Sequence, residues 1–260
     1  MNDSPTGPAD QRIAVVTGAS SGIGAASARA LARAGFHVVA GARRTDRVEV
    51  LAREIGGTAV TLDVTSDESV AALARQVPVC HLLVNNAGGA LGTDSIAEAK
   101  LEDWQWMYDV NVLGTLRATK ALLPALLASG DGQVINIGSI AAREPYPGGG
   151  GYNVAKHGVA AMTRVLRLEL LGQPVRVSEI DPGMVETEFS LVRFGGDLSK
   201  ADAVYAGTRP LTAVDVADTV SWVAQRPPHV NIDQILMLAT DQTSAQVVHR
   251  SRPRTWRSPA

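Results

Sequence analysis

The chain has 260 residues, of which 45% are hydrophobic and 19% are charged, a composition typical of a globular protein with a large core. The formal net charge of −2, without long basic runs, argues against a nucleic-acid-binding protein, and no segment approaches the roughly 20 apolar residues of a membrane-spanning helix. The single cysteine, Cys80, excludes an internal disulfide, and the five scattered histidines lead us to expect no metal site.

No linker-like or highly charged stretch divides the middle of the chain, so we expect one domain over residues 12–250. Residues 1–11 are polar and proline-rich, and lack the basic and apolar regions of a signal peptide. We expect them to form a disordered tail, and residues 251–260 to form a flexible one. These features make the cytoplasm the expected location.

Seven short apolar runs predict β-strands: Ile13–Thr17, His37–Gly41, Thr58–Leu62, His81–Val84, Gln133–Ile137, Val175–Ile180 and Gln234–Leu238. Amphipathic segments between them predict helices at Ala25–Ala34, Val48–Ile55, Asp67–Gln76, Glu102–Leu127, Tyr152–Leu170 and Ala213–Gln225. Strands that are apolar throughout indicate a sheet covered on both faces, which requires parallel strands and crossover helices. We therefore expect an α/β fold, a single doubly wound Rossmann domain with a mostly parallel seven-stranded sheet and helices on both faces. Its strand-to-helix loops meet at one edge, where ligands bind.

Three glycines crowd the turn after the first predicted strand, which reads Thr17-Gly18-Ala19-Ser20-Ser21-Gly22-Ile23-Gly24. Glycine permits positive φ and close backbone approach, and the amides at a helix start favour a phosphate group. The spacing Gly-x-x-x-Gly-x-Gly differs from the common Gly-x-Gly-x-x-Gly, and a plain tight turn is the alternative. The position between a strand and a helix favours a dinucleotide site.

The end of the second predicted strand distinguishes between two dinucleotides. An NAD site usually has an acidic side chain there for the ribose hydroxyls, whereas this chain has Arg43 and Arg44. Both arginines can form charge-assisted hydrogen bonds with a 2′-phosphate. The sequence therefore predicts NADP(H) as the cofactor, with ordinary surface charge as the alternative role of the two arginines.

A tyrosine and a lysine four residues apart, Tyr152 and Lys156, begin a long helical pattern and share one helix face. A nearby ammonium favours the phenolate, so the pair suits acid/base chemistry. Alone, the spacing more often marks an ordinary helical pair. Ser139 strengthens the catalytic interpretation because it ends a strand and reaches the same edge of the sheet. Asn111 adds a polar group to a largely apolar helix, where capping or stabilising a kink is the alternative role.

Together these motifs resemble the classical short-chain dehydrogenase/reductase family over roughly residues 12–250. The resemblance implies that Tyr152 is the general acid/base and that Lys156 lowers its pKa and binds the nicotinamide ribose. Ser139 would orient the substrate oxygen, and Asn111 would support a water-linked proton path. Tyr152 and Lys156 would also contact the cofactor, together with Gly18, Ser20, Ser21, Gly22, Ile23, Gly24, Asp63, Val64, Asn85, Ala87, Gly88, Pro182, Gly183, Val185 and Thr187.

The segment after the sixth predicted strand, residues 187–197, is a candidate lid because Phe189 and Phe194 could close over a ligand. An ordinary ordered loop is the alternative. Together with residues 209–217 and 229–232, the segment resembles the NADP-dependent serine and 3-hydroxy acid dehydrogenase subgroup, which implies a small 3-hydroxy acid or semialdehyde as substrate. Arg143 or Arg193 would then bind its carboxylate, unless either is simply solvated.

Two other functions remain open from the sequence. One is a broad-specificity carbonyl reductase of larger ketones, and the other is a non-catalytic protein that senses NADP. The intact set of Asn111, Ser139, Tyr152 and Lys156 argues against the second. The family resemblance also implies a homotetramer or homodimer assembled through the long helices.

Overall fold

The computed structural model describes residues 11–251. The predicted tails, 1–11 and 251–260, fall outside these residues except at Gln11 and Ser251, so both tails stay predictions. The same holds for the assignment of residues 12–250 to one domain.

A parallel sheet forms the centre of the described chain. The strands are β1 (Ile13–Thr17), β2 (His37–Ala42), β3 (Thr58–Thr61), β4 (Leu82–Asn85), β5 (Gly132–Ile137), β6 (Val175–Pro182), β7 (Val185–Glu186), β8 (Leu211–Thr212) and β9 (Gln234–Met237). Seven of them form one sheet in the order β3-β2-β1-β4-β5-β6-β9, and every neighbouring pair is parallel. The short β7 and β8 pair with each other. The predicted seven-stranded sheet is confirmed, and it is parallel throughout.

The helices alternate with the strands as expected for crossover connections. They are α1 (Gly22–Arg33), α2 (Thr45–Ile55), α3 (Asp67–Gln76), α4 (Leu101–Tyr108), α5 (Gly114–Ala128), α6 (Gly150–Glu169), α7 (Phe189–Arg193), α8 (Leu198–Tyr205) and α9 (Ala213–Ala224). Within residues 11–251, no helix combines the length and apolar character that crossing a bilayer requires.

Successive residues of the strands point to opposite faces and build two cores. Val16 of β1 packs in a core with α1, α2 and α9, whereas its neighbour Val15 packs in a second core against α3 and α5. Both valines are fully buried. A strand buried on both faces can be apolar at every position, which is why these strands show no alternation in the sequence.

In the strand order, β1 lies beside β4. From β1 the chain continues to β2 and β3 on one side, and from β4 it continues to β5, β6 and β9 on the other side. In doubly wound sheets such a switch point opens a crevice at the carboxyl ends of the strands. The loops after β1, β2, β4, β5 and β6 therefore converge on one place, which is where the candidate site lies.

The helix predicted over Glu102–Leu127 is present, with one change of hydrogen-bonding pattern inside it. A π-helical turn at Asp109–Leu113 separates α4 from α5, and π-helical turns are frequent at functional sites. The predicted lid segment contains α7 and the residues just before α8. The five residues of α7 are too few to show a helical period in the sequence, so this helix is seen in the structure and not in the sequence pattern.

Candidate active site

A cavity of about 650 Å³ opens at the carboxyl edge of the sheet. The cavity lining includes the predicted cofactor residues Gly18, Ser20, Ser21, Gly22, Ile23, Arg43, Arg44, Asp63, Val64, Ala87, Gly88, Pro182, Gly183, Val185 and Thr187. The predicted Ser139, Tyr152, Lys156, Phe189 and Arg193 line the same cavity. Four other predicted residues, Gly24, Asn85, Asn111 and Arg143, do not line it.

The glycine turn has the backbone geometry that its sequence requires. Gly18 has φ of +67° and Gly22 has φ of +52°, values that only glycine adopts without strain. A β-carbon at Gly24 would overlap the carbonyl oxygen of Gly18, so this glycine lets α1 start against the turn. The free amides of the first turn of α1 thus face the cavity, where the helix dipole favours an anion.

Arg44 is tied to both serines of the glycine turn. Its Nε donates to Ser20 Oγ over 3.0 Å and its Nη2 donates to Ser21 Oγ over 2.7 Å. Its Nη1 forms an ion pair with Glu188, whose other carboxylate oxygen pairs with Arg47. The hydrogen bonds from the two arginines lower the pKa of Glu188 to about 2. A cationic cluster therefore occupies the end of the cavity formed by β2.

Asp63 follows β3 at the same end of the cavity. Burial raises the pKa of its carboxyl, but hydrogen bonds from Thr65 and the charges of Arg43 and Arg117 lower it more, so the net shift is downward. Its Oδ1 accepts a bond of 3.0 Å from Thr65 N and one of 2.7 Å from Thr65 Oγ1. Asp63 is therefore a fixed anion beside the predicted adenine position.

Asn86, rather than Asn85, faces the cavity after β4. The Asn85 amide donates to Thr119 Oγ1 and Asn136 Oδ1 in the buried interior, whereas Asn86 Nδ2 donates to the Thr17 carbonyl over 2.9 Å. The predicted contact of Asn85 with the cofactor is thus replaced by a structural role. The physical reason is the alternation of side chains along a strand, which sends neighbouring residues to opposite faces.

Asn111 lies in the π-helical turn and is 1% exposed. Its Nδ2 donates to the carbonyls of Gly89 (2.8 Å) and Met107 (2.7 Å). A β-carbon at Gly88 would press against Asn111 Oδ1, so the glycine admits this amide. Asn111 thus braces the loop after β4, and its predicted part in a proton path stays a prediction.

Ser139, Tyr152 and Lys156 meet between the end of β5 and the start of α6. All three are buried, with Lys156 only 7% exposed. Ser139 Oγ accepts a hydrogen bond from Ala141 N over 3.1 Å, and Lys156 Nζ donates to the Ile137 carbonyl over 2.8 Å. The Lys156 ammonium lies 5.8 Å from the centre of the Tyr152 ring. The three side chains therefore form one cluster facing the cavity.

Burial controls the acidity of this cluster. It raises the pKa of Tyr152 above its ordinary value, although Ser139 and the charge of Arg193 act in the opposite direction. It lowers the pKa of Lys156 to about 8, against the effect of Asp181 and Glu179. The expectation that Lys156 brings the tyrosine below its ordinary pKa is therefore not met, because the cost of a charged phenolate away from water outweighs the neighbouring charges.

The candidate lid segment packs against the loops that flank the cavity. Arg193 of α7 donates to the Gly92 carbonyl (3.0 Å), the Tyr146 hydroxyl (2.9 Å) and the Gly148 carbonyl (3.2 Å). The Phe189 and Tyr152 rings have centroids 5.3 Å apart in a tilted arrangement. Both features place the lid directly above the catalytic cluster.

Comparison with known proteins agrees with this geometry. The model of the short chain dehydrogenase family matches residues 12–193. The chain belongs to this family. It is 62% identical to an uncharacterised oxidoreductase of Mycobacterium tuberculosis over 235 residues, 90% of this chain and 94% of the relative. It is 42% identical to sulfoacetaldehyde reductase of Chromohalobacter salexigens over 236 residues, 87% of this chain and 93% of the relative.

A solved structure of the closed form of serine dehydrogenase, complexed with NADP⁺, superimposes with a TM-score of 0.87. It is 40% identical and covers 92% of this chain and 100% of its own. The doubly wound fold is thus shared with a short-chain dehydrogenase of known structure.

Arg143, a predicted substrate ligand, does not line the cavity of this short-chain dehydrogenase. Its guanidinium pairs with Asp181 at 2.7 Å and with Glu179 at 3.0 Å, and both carboxyls are buried in β6. These ion pairs direct the guanidinium away from the cavity lining, and both partners are distant from Arg143 in the sequence. Arg193 is left as the predicted carboxylate ligand inside the cavity.

Several residues that line the cavity of this short-chain dehydrogenase were not predicted as site residues, among them Tyr146, Glu188 and Gln242. Gln242 Oε1 accepts from Met184 N over 2.8 Å and so brings the carboxyl-terminal segment to the cavity. Tyr146 lies in the Pro-rich loop between Ser139 and Tyr152, where an isolated aromatic is the available signal. For Gln242 the sequence offers no comparable signal.

Proposed function

We propose that the protein is an NADP(H)-dependent oxidoreductase that interconverts an alcohol and a carbonyl, with Tyr152 as the general acid/base. The observation that carries the proposal is the convergence of Ser139, Tyr152 and Lys156 in the cavity that also contains the glycine turn. Acid/base work requires a titratable group within hydrogen-bond reach of the reacting oxygen, and the cavity provides it.

The residues present fit NADP(H). Gly18 and Gly22 allow backbone approach to a pyrophosphate, and the amides at the start of α1 provide its donors. Arg43 is exposed at the end of β2, and Arg44 uses one N–H each on Ser20, Ser21 and Glu188, which leaves further donors for a 2′-phosphate. When bound, the nicotinamide cofactor supplies or accepts the hydride. The NADP⁺ complex of the similar serine dehydrogenase supports this choice.

The chain's own groups would handle the proton. In carbonyl reduction, Tyr152 donates its phenolic proton to the substrate oxygen while the Ser139 hydroxyl holds that oxygen in place. Because burial keeps the Tyr152 pKa high, the phenol remains protonated at neutral pH and is ready to act as an acid. The Lys156 ammonium stabilises the phenolate that results, and the charge of Arg193 assists it.

The substrate side of the cavity suits a small anion. Arg193 has five N–H groups, of which three are used on Gly92, Tyr146 and Gly148, so two remain for a carboxylate or sulfonate. Among the described lining residues the carboxylates are Asp63 and Glu188, and both lie at the cationic end formed by β2. A substrate ammonium would find no carboxylate partner near Tyr152. We therefore favour a 3-hydroxy acid or its semialdehyde over an amino acid such as serine.

Reduction of larger ketones is the second candidate. The observation that favours it is the aromatic and apolar wall that Trp106, Met184, Phe189 and Phe194 give the cavity. Such a wall can hold a bulky apolar group in place of a small acid.

A substrate screen separates these functions. Purified protein is mixed with NADPH or NADH and with semialdehydes of small acids or bulky ketones, and with NADP⁺ in the reverse direction for 3-hydroxy acids and L-serine. We expect the highest kcat/KM with the small anionic substrates and NADPH. Good turnover of bulky ketones alone would establish the second candidate, and no turnover of any carbonyl would reject the oxidoreductase proposal.

Arg193→Met tests the anion site, with Arg209→Met at an exposed position outside the cavity as its control. We expect Arg193→Met to raise KM for the anionic substrate more than tenfold and to leave KM for an uncharged aldehyde within about threefold, since a charged hydrogen bond contributes about 1.5–3 kcal/mol. Equal losses for both substrates would point to the lid rather than to charge recognition.

Assembly and location stay predictions. Leu116 on α5 and Val154 and Leu168 on α6 are exposed apolar residues of the long helices. They support a homotetramer or homodimer, which light scattering of the purified protein would measure. A cytoplasmic location rests on the sequence features alone.

A further inference from the structure

Two buried carboxyls and one arginine lie next to the backbone of Ser139. Glu179 and Asp181 both belong to β6 and are 2% and 0% exposed. Arg143 follows Ser139 by four residues and reaches back to both carboxyls. None of the three lines the cavity, so none is placed to contact a ligand there.

Asp181 holds the backbone of Ser139. Its Oδ1 accepts a hydrogen bond of 3.0 Å from Ser139 N, and its Oδ2 accepts bonds from Arg143 Nε (2.8 Å) and Gln234 Nε2 (2.9 Å). The contact with the chain is so close that a β-carbon at Gly138 would overlap Asp181 Oδ1. Asp181 therefore fixes the turn that presents the Ser139 hydroxyl.

The same strand end also anchors the lysine. Lys156 Nζ donates to the carbonyl of Ile137, two residues before Ser139. A shift of this strand end would displace the Ser139 hydroxyl and the Lys156 ammonium together. Misplacement of reacting groups by about 1 Å can cost about 100-fold in rate.

The buried carboxyls of Glu179 and Asp181 share Arg143 as their ion-pair partner. Burial and the neighbouring Asp181 raise the pKa of Glu179 to about 7, and Glu179 Oε1 lacks a hydrogen-bond partner among the described residues. Arg143 acts in the opposite direction and lowers the pKa of Glu179. Arg143 is therefore the cation that compensates two neighbouring carboxyls in a buried position.

We propose that Asp181 is a positioning residue for catalysis, which holds Ser139 in register with Tyr152, and that Arg143 holds the Asp181 carboxylate in place. This inference rests on the proposed role of Ser139 and Tyr152. The structure thereby gives Arg143 a role other than substrate binding.

The test measures steady-state kinetics, NADPH affinity by fluorescence titration and the melting temperature of three variants. Arg143→Met removes the guanidinium, Arg143→Lys keeps the charge, and Arg176→Met is the control. Arg176 is buried and pairs with a carboxylate, Asp131, at the start of β6, away from Ser139. Arg176→Met therefore removes an ion pair of the same strand and leaves the contacts around Ser139 intact.

For Arg143→Met we expect kcat to fall at least about tenfold, with NADPH affinity within about twofold of the parent protein, since only the geometry of the reacting groups changes. Arg143→Lys should recover part of kcat. Arg176→Met should lower the melting temperature and leave kcat unchanged.

The comparison of kcat with the melting temperature separates positioning from simple stability. A merely structural pair would lower the melting temperature of Arg143→Met, as for Arg176→Met, and leave its kcat unchanged. A positioning role lowers kcat, and Arg143→Lys recovers part of it.

The inference is overturned if Arg143→Met has the parent kcat, or if Arg176→Met loses as much kcat. Failure of the proposed function gives a different result, because a fully active Tyr152→Phe would remove the tyrosine mechanism itself. An inactive Tyr152→Phe together with a normal Arg143→Met contradicts the positioning role alone.

Discussion

The Arg44 guanidinium and the Glu188 carboxylate form an ion pair of 2.7 Å that joins the start of the lid to the cationic end of the cavity. Arg47 pairs with the other oxygen of the same carboxylate. The candidate lid is thus tied to the turn after β2, and both residues of the pair line the cavity that would hold the cofactor.

Replacing Glu188 with glutamine should speed cofactor release. The partners are 40–45% exposed, so each pair contributes only about 0.2–1 kcal/mol, and we expect dissociation of NADPH to accelerate about two- to fivefold. Stopped-flow displacement measures the rate, and added salt should accelerate release from the parent protein more than from the variant. Glu186→Gln is the matched control, an exposed carboxylate two residues earlier. Equal rates for all three proteins would mean that the ion pairs do not restrain the lid.

Arg43→Ala should weaken the preference for NADPH. Arg43 lines the cavity beside Arg44 but does not pair with Glu188, so its removal leaves the lid contact intact. Loss of a charged hydrogen bond to a phosphate, about 1.5–3 kcal/mol, predicts a decrease of more than about tenfold in kcat/KM with NADPH. The value with NADH should stay within about threefold. A parallel decline with both cofactors would contradict 2′-phosphate recognition.

Lys156 should give the activity an alkaline limit. Burial lowers its pKa to about 8, so the ammonium predominates below that pH and is lost as the pH rises through it. The pH dependence of kcat/KM reports groups of the free enzyme, and for carbonyl reduction it should decrease above about pH 8. Lys156→Arg keeps its charge throughout this range, so its profile should lose this limb even if the rate is lower. An unchanged limb in Lys156→Arg would assign the ionisation to another group.

Gly138→Ala should be strongly destabilising. Its β-carbon would meet both the Asp181 and the Glu179 carboxyl in a fully buried position, so we expect a loss of about 1–3 kcal/mol or more in the free energy of unfolding. Gly56→Ala is the control, because Gly56 has φ of +65° with open space around it and tests backbone strain alone. In denaturant unfolding, Gly138→Ala should have a lower free energy of unfolding than Gly56→Ala. The reverse order would mean that the carboxyl pair can move away.

The sheet could be predicted well because both faces of its strands are buried. All seven predicted strands are present, with ends that differ by at most two residues. The π-helical turn between α4 and α5 was not predicted, because it is a single turn inside a segment that is helical throughout. The lid helix α7 was missed because it is shorter than two turns.

Site residues could be predicted from the sequence where a motif fixes the backbone geometry. They could not be predicted where contacts between distant parts of the chain determine the position of a side chain. Gly18, Ser139, Tyr152 and Lys156 line the cavity as predicted. Arg143 was assigned to the substrate because its two buried partners are distant in sequence. The direction of the Tyr152 pKa shift was also beyond the sequence, since it depends on how completely water is excluded.

The turnover of Tyr152→Phe, with NADPH and the best carbonyl from the screen, decides whether the tyrosine is the proton donor. The variant keeps the buried ring and its packing on Phe189 but lacks the phenolic proton that Tyr152 would donate. We expect kcat to decrease about 10²- to 10⁴-fold while NADPH binds with unchanged affinity. A kcat within about threefold of the parent value would contradict Tyr152 as the general acid/base.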